Sequence, residues 1–450
     1  MKSKIIVITL CLLLLCIGVN AQQQYVIKLS DSVTMFSDRE GVSEKYITVA
    51  EEELQEYIDA GIVEFYEPVM YATYLGEQNW QLENVNAAFP EKIGSLGNGV
   101  KVGVIDGGII AFDAIKDRVL EGYDFHEKTT DVTDKDGHGT FVSSMIALKG
   151  SAFAYESYIV PLKVFFHAKD ENGDLIYDEQ NQPVYTATST DVANAVIAAV
   201  DNFDCSVINL SLSFKSNPTA LKSAIDYATG KGVIVVAAAG NDGTATYHYP
   251  AAYTNVTGVG STDEDNLVAF FSQRNDSVHV VAPGLSVVVS PNEQKNNIGS
   301  GTSFSAPQVS ALGAVAKCIN PNITNEQFMS LLQTTSTDLG EEGYDTDYGY
   351  GLINCQAFIK KMIEDRKVYI SPIKIENGTA SSIIYNNTDS LLEAKSVYAE
   401  SNVPMIIDDV SLETDAVLKK NYNYTSGKVQ LMVWDSLNRL VPMGPASLSE

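Results

Sequence analysis

From Val100 to Asn241, short apolar runs of strand length alternate with helical stretches, and this alternation limits the fold more than any other property of the chain. The segments "VKVGVI" (100–105), "YIVPLKV" (158–164), "CSVINLSLS" (205–213) and "VIVVAAAGN" (233–241) read as buried strands. Between them, "TFVSSMIAL" (140–148), "STDVANAVIAAVDNF" (189–203) and "PTALKSAIDYATGKG" (218–232) read as helices. Repeated strand–helix–strand units give a parallel sheet flanked by helices, since parallel neighbours need a crossover connection. In such a sheet, loops converge at the carboxyl ends of the strands and build the site there. Asp106-Gly107-Gly108, Ser211-Leu212-Ser213 and Asn241-Asp242-Gly243 fall at those ends.

The flanks have a different texture. With 450 residues, 45% of them hydrophobic, the chain exceeds one ordinary core. Residues 1–21 carry Lys2 and Lys4, an apolar run and then Val19-Asn20-Ala21, the pattern of an export leader cleaved before Gln22. The apolar run is short for a bilayer span, so a secreted or cell-surface protein without a membrane span is expected after leader removal. Residues 22–77 read as a small α+β unit, 78–361 as the α/β domain, and 366–450 as an all-β sandwich with alternating apolar residues and Asn, Gly and Ser turns. A formal net charge of -27 speaks against nucleic acid as a partner and favours cationic peptides only weakly. Past the leader only Cys205, Cys318 and Cys355 remain, too few for a disulfide framework. Cys318 and Cys355 are open to pairing, but small buried apolar groups are the expected state of all three.

Three stretches stand out together. "VGVIDGG" sets Asp106 at a strand end, "DKDGHGTFVSS" sets His138 at a helix start, and "GSGTSFSAP" leads a glycine- and hydroxyl-rich loop through Ser303 into a helix. Hydrolysis of an amide by a hydroxyl needs an imidazole to take its proton and a carboxylate to hold that imidazole in one tautomer. Taken singly, each residue has a plainer reading: a turn aspartate, a structural histidine, a serine-rich loop. The helix after the loop is expected to carry Pro307 in its first turn and to present unpaired N–H groups near Ser303. Its small residues Ala306, Ser310, Ala311 and Gly313 suit close packing, and Val309, Leu312 and Val315 recur at core spacing.

In these motifs and their order, the chain from about Trp80 to Lys361 resembles the subtilisin family of serine peptidases. The resemblance implies a subtilisin-like α/β fold and a secreted endopeptidase acting on protein or peptide substrates. It implies catalytic Asp106, His138 and Ser303, with Asn241 donating to the oxyanion. It also implies a peptide held along Ser211, Leu212 and Ser213, opposite a wall of Ala238, Ala239 and Gly240. "YHYP" puts Tyr247 and His248 where the family often has a small pocket residue, so His248 is either part of a shallower, more polar pocket or a surface loop residue. Residues 22–77 resemble a prosegment acting as an intramolecular inhibitor, which would make the chain a proenzyme, or else stand as a permanent extension. No cofactor and no metal are implied. "KDENGDLIYDE" (169–179) has alternating acidic residues but lacks the full spacing of a calcium loop, and reads as a hairpin turning at Asn172-Gly173. A narrow processing peptidase and a non-catalytic binding or adhesion protein are the alternatives.

Overall fold

A computed structural model describes residues 24–29, 35–36, 43–44, 46–50, 58, 63–68, 79–177, 183–292, 295–401, 403–424, 427–434 and 447–448. The leader at 1–21 and nearly all of residues 51–61 lie outside these residues. The chain forms two compact units, Met1–Glu77 and Gln78–Glu450. In the first, Gln24–Leu29 pairs antiparallel with both Tyr46–Ala50 and Val63–Pro68.

The second unit is built on a seven-stranded, wholly parallel sheet. Its strands are β1 (Lys101–Asp106), β2 (Tyr123–Asp124), β3 (Tyr158–Lys163), β4 (Val207–Leu210), β5 (Ile234–Ala238), β6 (Thr257–Thr262) and β7 (Val280–Pro283), in the order β7-β6-β5-β4-β1-β3-β2. From β1 the chain goes to the edge strand β2, steps back to β3 beside β1, then crosses to β4 on the other side of β1. The order therefore reverses between β1 and β4, where a crevice opens beyond the carboxyl ends. Asp106 ends β1, and Ser211 follows the last residue of β4.

Alternate strand residues feed two cores. Val102, Val104, Val207, Ile234 and Val236 pack against α1 (His138–Ala147) and α4 (Thr302–Ile319) on one face. Ile105, Ile208, Leu210, Val235 and Ala237 pack against α2 (Ser189–Asp201) and α3 (Thr219–Gly230) on the other. The long helix α4 is buried on every side rather than along one stripe. A Cβ on Gly313 would stand 3.3 Å from Ile234 and 3.5 Å from Val207, so the helix lies directly on β4 and β5. That contact explains the small residues. No disulfide joins Cys318 to Cys355, and Cys205 and Cys355 are packed as buried thiols.

Beyond α4 the chain makes two four-stranded antiparallel sheets. Ile370, Ile384 and Tyr422 of one share a core with Tyr398, Val410 and Leu431 of the other, as in a sandwich. This sandwich is seated on the α/β domain through Tyr385, edge-on to Phe89 at 5.8 Å. Asp415 pairs there with Lys92 at 2.7 Å and Lys360 at 3.3 Å, and Lys374 reaches Glu156 at 2.8 Å. Among the described residues, no helix is long and apolar enough to cross a membrane.

Candidate active site

Asp106 is fully buried at the end of β1. Its Oδ1 accepts the Gly107 N–H at 2.7 Å and faces His138 Nδ1 at 2.8 Å. A carboxylate accepts only, so Nδ1 carries the proton and Nε2 is left as the basic nitrogen. His138 is the first residue of α1, and the preceding turn is tied down by Asp134. One Asp134 oxygen accepts from the N–H groups of Asp136 and Gly137, the other from the N–H and hydroxyl of Thr140. Gly139 makes the close approach possible, since a Cβ there would meet the Gly108 carbonyl oxygen at 2.3 Å. Burial works against a charged His138 ring, but the Asp106 carboxylate outweighs it, aided by Asp136 and Asp134, and raises the pKa from 6.5 to about 9.

Ser303 is the second residue of α4, not a residue ahead of it, and Pro307 consequently lies in the second turn rather than the first. There the ring removes the N–H that would bond the Ser303 carbonyl. The Ser211 hydroxyl takes that acceptor at 2.8 Å, itself held by Asn209 at 3.0 Å, whose amide oxygen accepts from Ser310 at 2.9 Å. This buried chain fixes the Ser303 backbone to the end of β4. Among the described residues, the Ser303 hydroxyl has only a long contact, donating to the Ser211 carbonyl at 3.4 Å. Its N–H is among the donors that a helix start leaves unpaired. Gly301 enters the helix at φ 149°, a backbone conformation suited to glycine.

Asn241 sits beside this helix start. Its Oδ1 accepts both the N–H and the hydroxyl of Thr302, each at 2.9 Å, while Thr302 Oγ1 accepts the Gly240 N–H at 3.2 Å. With the oxygen occupied, the amide nitrogen is the free end, on the side where a Cβ on Gly301 would lie 3.4 Å away.

The residues expected to form the substrate walls lie on the strand ends flanking Ser303. Leu212, Ala238 and Ala239 have buried side chains, whereas Ser213 is exposed. His248 is buried, not a surface loop residue. Its Nδ1 meets Ser213 Oγ at 2.9 Å and its Nε2 meets Asp242 Oδ2 at 3.0 Å, with Lys215 on the same carboxylate oxygen. The ring presses on Gly240, where a Cβ would be 2.8 Å from Cγ. It thus links the two walls. Tyr247 is exposed.

The structure joins Asp106 to His138 and joins Asn241 to the residue before Ser303. The two halves meet where the His138 ring lies 5.6 Å from that of Phe304, the residue after Ser303. No hydrogen bond links His138 to Ser303 directly among the described residues. Sequence reasoning missed Thr302 and Asp134, which orient Asn241 and His138. The signal for Asp134 was available in "DKDGHGT", an Asx residue closing a turn just before a helix start.

Comparison with known proteins fits this geometry. The model of the subtilase family matches residues 97–351. The chain belongs to the subtilase family. Minor extracellular protease Epr of Bacillus subtilis is 32% identical over 284 residues, spanning 62% of this chain and 41% of Epr. Subtilisin Savinase of Lederbergia lenta is 32% identical over 281 residues, spanning 62% of this chain and 97% of Savinase. A solved protease from Pseudoalteromonas arctica superposes with a TM-score of 0.54 over 64% of this chain and 99% of its own, at 22% identity, and supports the fold alone. Family and fold together make this chain a subtilisin-like serine peptidase. The match stops short of the sandwich and of the first unit, so those parts of this subtilase are read from their own residues.

The electrostatics of the His138 pair can be measured directly. Histidine NMR titration of Ser303→Ala protein, used to suppress self-cleavage, should give His138 a midpoint near 9. Asp106→Asn should lower it, because burial is then opposed only by the weaker pull of Asp136 and Asp134. An unchanged midpoint would show that Asp106 does not set the charge of the ring.

Proposed function

We propose that this subtilase is a secreted serine endopeptidase working through Asp106, His138 and Ser303, made as a proenzyme. The observation that carries the reading is the buried Asp106 carboxylate holding His138 Nδ1 at 2.8 Å, which leaves Nε2 as a base beside the helix start bearing Ser303. Ser303 Oγ attacks the scissile carbonyl as His138 takes its proton. Negative charge builds on the carbonyl oxygen, where Asn241 Nδ2 and the Ser303 N–H donate to it at the positive end of α4. His138 then gives the proton to the leaving amine, and water repeats the sequence on the acyl-enzyme. Asp106 stays ionised throughout and stabilises the imidazolium. The loose hold on the Ser303 hydroxyl suits this role, since it is free to turn to the imidazole when substrate docks. Only the neutral ring accepts a proton, so kcat/KM should climb with pH towards the His138 pKa of about 9.

The substrate chain is read as an added strand along Ser211, Leu212 and Ser213, opposite Ala238, Ala239 and Gly240. His248 closes the floor between them and makes the pocket shallow and polar. Peptides with Ala before the cut should therefore outpace those with Phe. His248→Gly should shift the kcat/KM ratio towards Phe by about 10- to 100-fold, the range set by pocket volume. A native enzyme that prefers Phe would contradict this floor.

The leader-like residues 1–21 support secretion, and the compact unit before residue 78 supports a removable prosegment that also inhibits. One experiment tests the whole reading: purified culture-medium protein is labelled with a fluorophosphonate and its N-terminus is sequenced. Labelling is expected at Ser303 and absent in Ser303→Ala, with the chain starting near Gln78. Asn241→Ala should lower kcat by about 10²- to 10³-fold, the usual scale for one oxyanion donor. Native protein that neither labels nor cleaves would favour a non-catalytic binding role.

A further inference from the structure

A cavity of about 360 Å³ lies beside the catalytic residues. Gly107, next in sequence to Asp106, lines it, as does Lys135 from the turn that delivers His138. Another wall is the hairpin of Phe166–His167 and Tyr185–Thr186, in the segment that follows β3. Most charged groups around it already have partners, although a carboxylate that accepts only from neutral N–H and O–H groups keeps its charge. Lys163 donates to the Thr133 carbonyl at 2.8 Å and lies 3.5 Å from Asp124, whose other oxygen accepts the N–H groups of His126 and Glu127. His126 is stacked on Phe166 at 3.5 Å, with Asp191 at 3.5 Å. Of the neighbouring carboxylates, Asp134 accepts four hydrogen bonds and Asp136 holds the His138 N–H. Among the described residues, the side chains of Lys135, Lys169 and His167 line the cavity with no hydrogen bond or ion pair, against one similarly free carboxylate, Glu127. Phe166 and Tyr185 add apolar wall for a methylene stem.

We propose that this cavity is a specificity site for an acidic side chain of the peptide substrate, held by Lys135 and Lys169 within a few residues of the cut bond. The inference rests on the peptidase reading and gives it a substrate class. It runs against the net charge of -27 of the whole chain and against the nearby Asp134 and Asp136 carboxylates, which act on Tyr185 in the cavity wall, so the selectivity is local and short-ranged. Glutamate suits the site better than aspartate because its longer stem reaches along the aromatic wall.

The test scans Glu against Gln through each position around the cleaved bond of one peptide. One position should favour Glu by about 3- to 10-fold in kcat/KM, mainly through KM, the size expected of one or two partly exposed charge pairs. The preference should vanish in Lys135→Ala/Lys169→Ala, reverse in Lys135→Glu/Lys169→Glu, and shrink in high salt. Binding of the same peptides to Ser303→Ala protein, read by fluorescence anisotropy, reports the preference without catalysis. Equal binding of Glu and Gln peptides at every position overturns the proposal even if cleavage is rapid. A Glu preference in binding supports it even if nothing is cut, in which case it is the peptidase reading that fails.

Discussion

Asp106 and His138 face each other at 2.8 Å inside the protein, and the rest of the structure is arranged around making that pair tolerable. A fully buried carboxylate is costly unless it is bonded, and here Oδ1 takes both a backbone N–H and an imidazole N–H while Oδ2 has no partner among the described residues. The position at the end of β1 places it at the strand-order reversal, where a crevice forms without special loops. The turn at 134–140 then brings the imidazole in, anchored by Asp134 and admitted by the absence of a side chain at Gly139. Removing the carboxylate would release the ring from its tautomer as well as its charge.

The second half of the site depends on a different device. Pro307 would ordinarily weaken a helix interior, but the carbonyl it frees belongs to Ser303, and the Ser211 hydroxyl occupies it. A helix defect is thus converted into a tether between α4 and β4. Thr302 performs a similar service for Asn241 by filling its amide oxygen twice, which decides the direction in which the amide nitrogen points. The sheet, the buried helix and these two tethers put both halves of the site at one rim.

Much of this was legible in the sequence because burial writes a strong pattern. Strands β1, β3, β4 and β5 are largely apolar runs, and each starts within two residues of its expected place. Strands β2, β6 and β7 were not read: β2 has two residues, "TGVGST" mixes glycines with hydroxyls, and "VVAP" is four residues ending in proline. Local pattern fails there because tertiary packing, not propensity, holds these segments extended. The roles of Thr302, Ser211 and His248 depend on partners 61, 92 and 35 residues away, a separation no local spacing rule reaches. Pro307 was placed one turn early for the same reason, since its cost is offset only by a distant hydroxyl.

The central claim is that Asp106, His138, Asn241 and Ser303 form one catalytic centre, and a crystal structure of the protein inactivated by a peptidyl phosphonate tests it most directly. The account predicts phosphorus bonded to Ser303 Oγ, one phosphoryl oxygen within hydrogen-bond reach of Asn241 Nδ2 and the Ser303 N–H, and His138 Nε2 turned to the adduct. An adduct on another residue, or an imidazole of His138 directed away from it, would contradict the account.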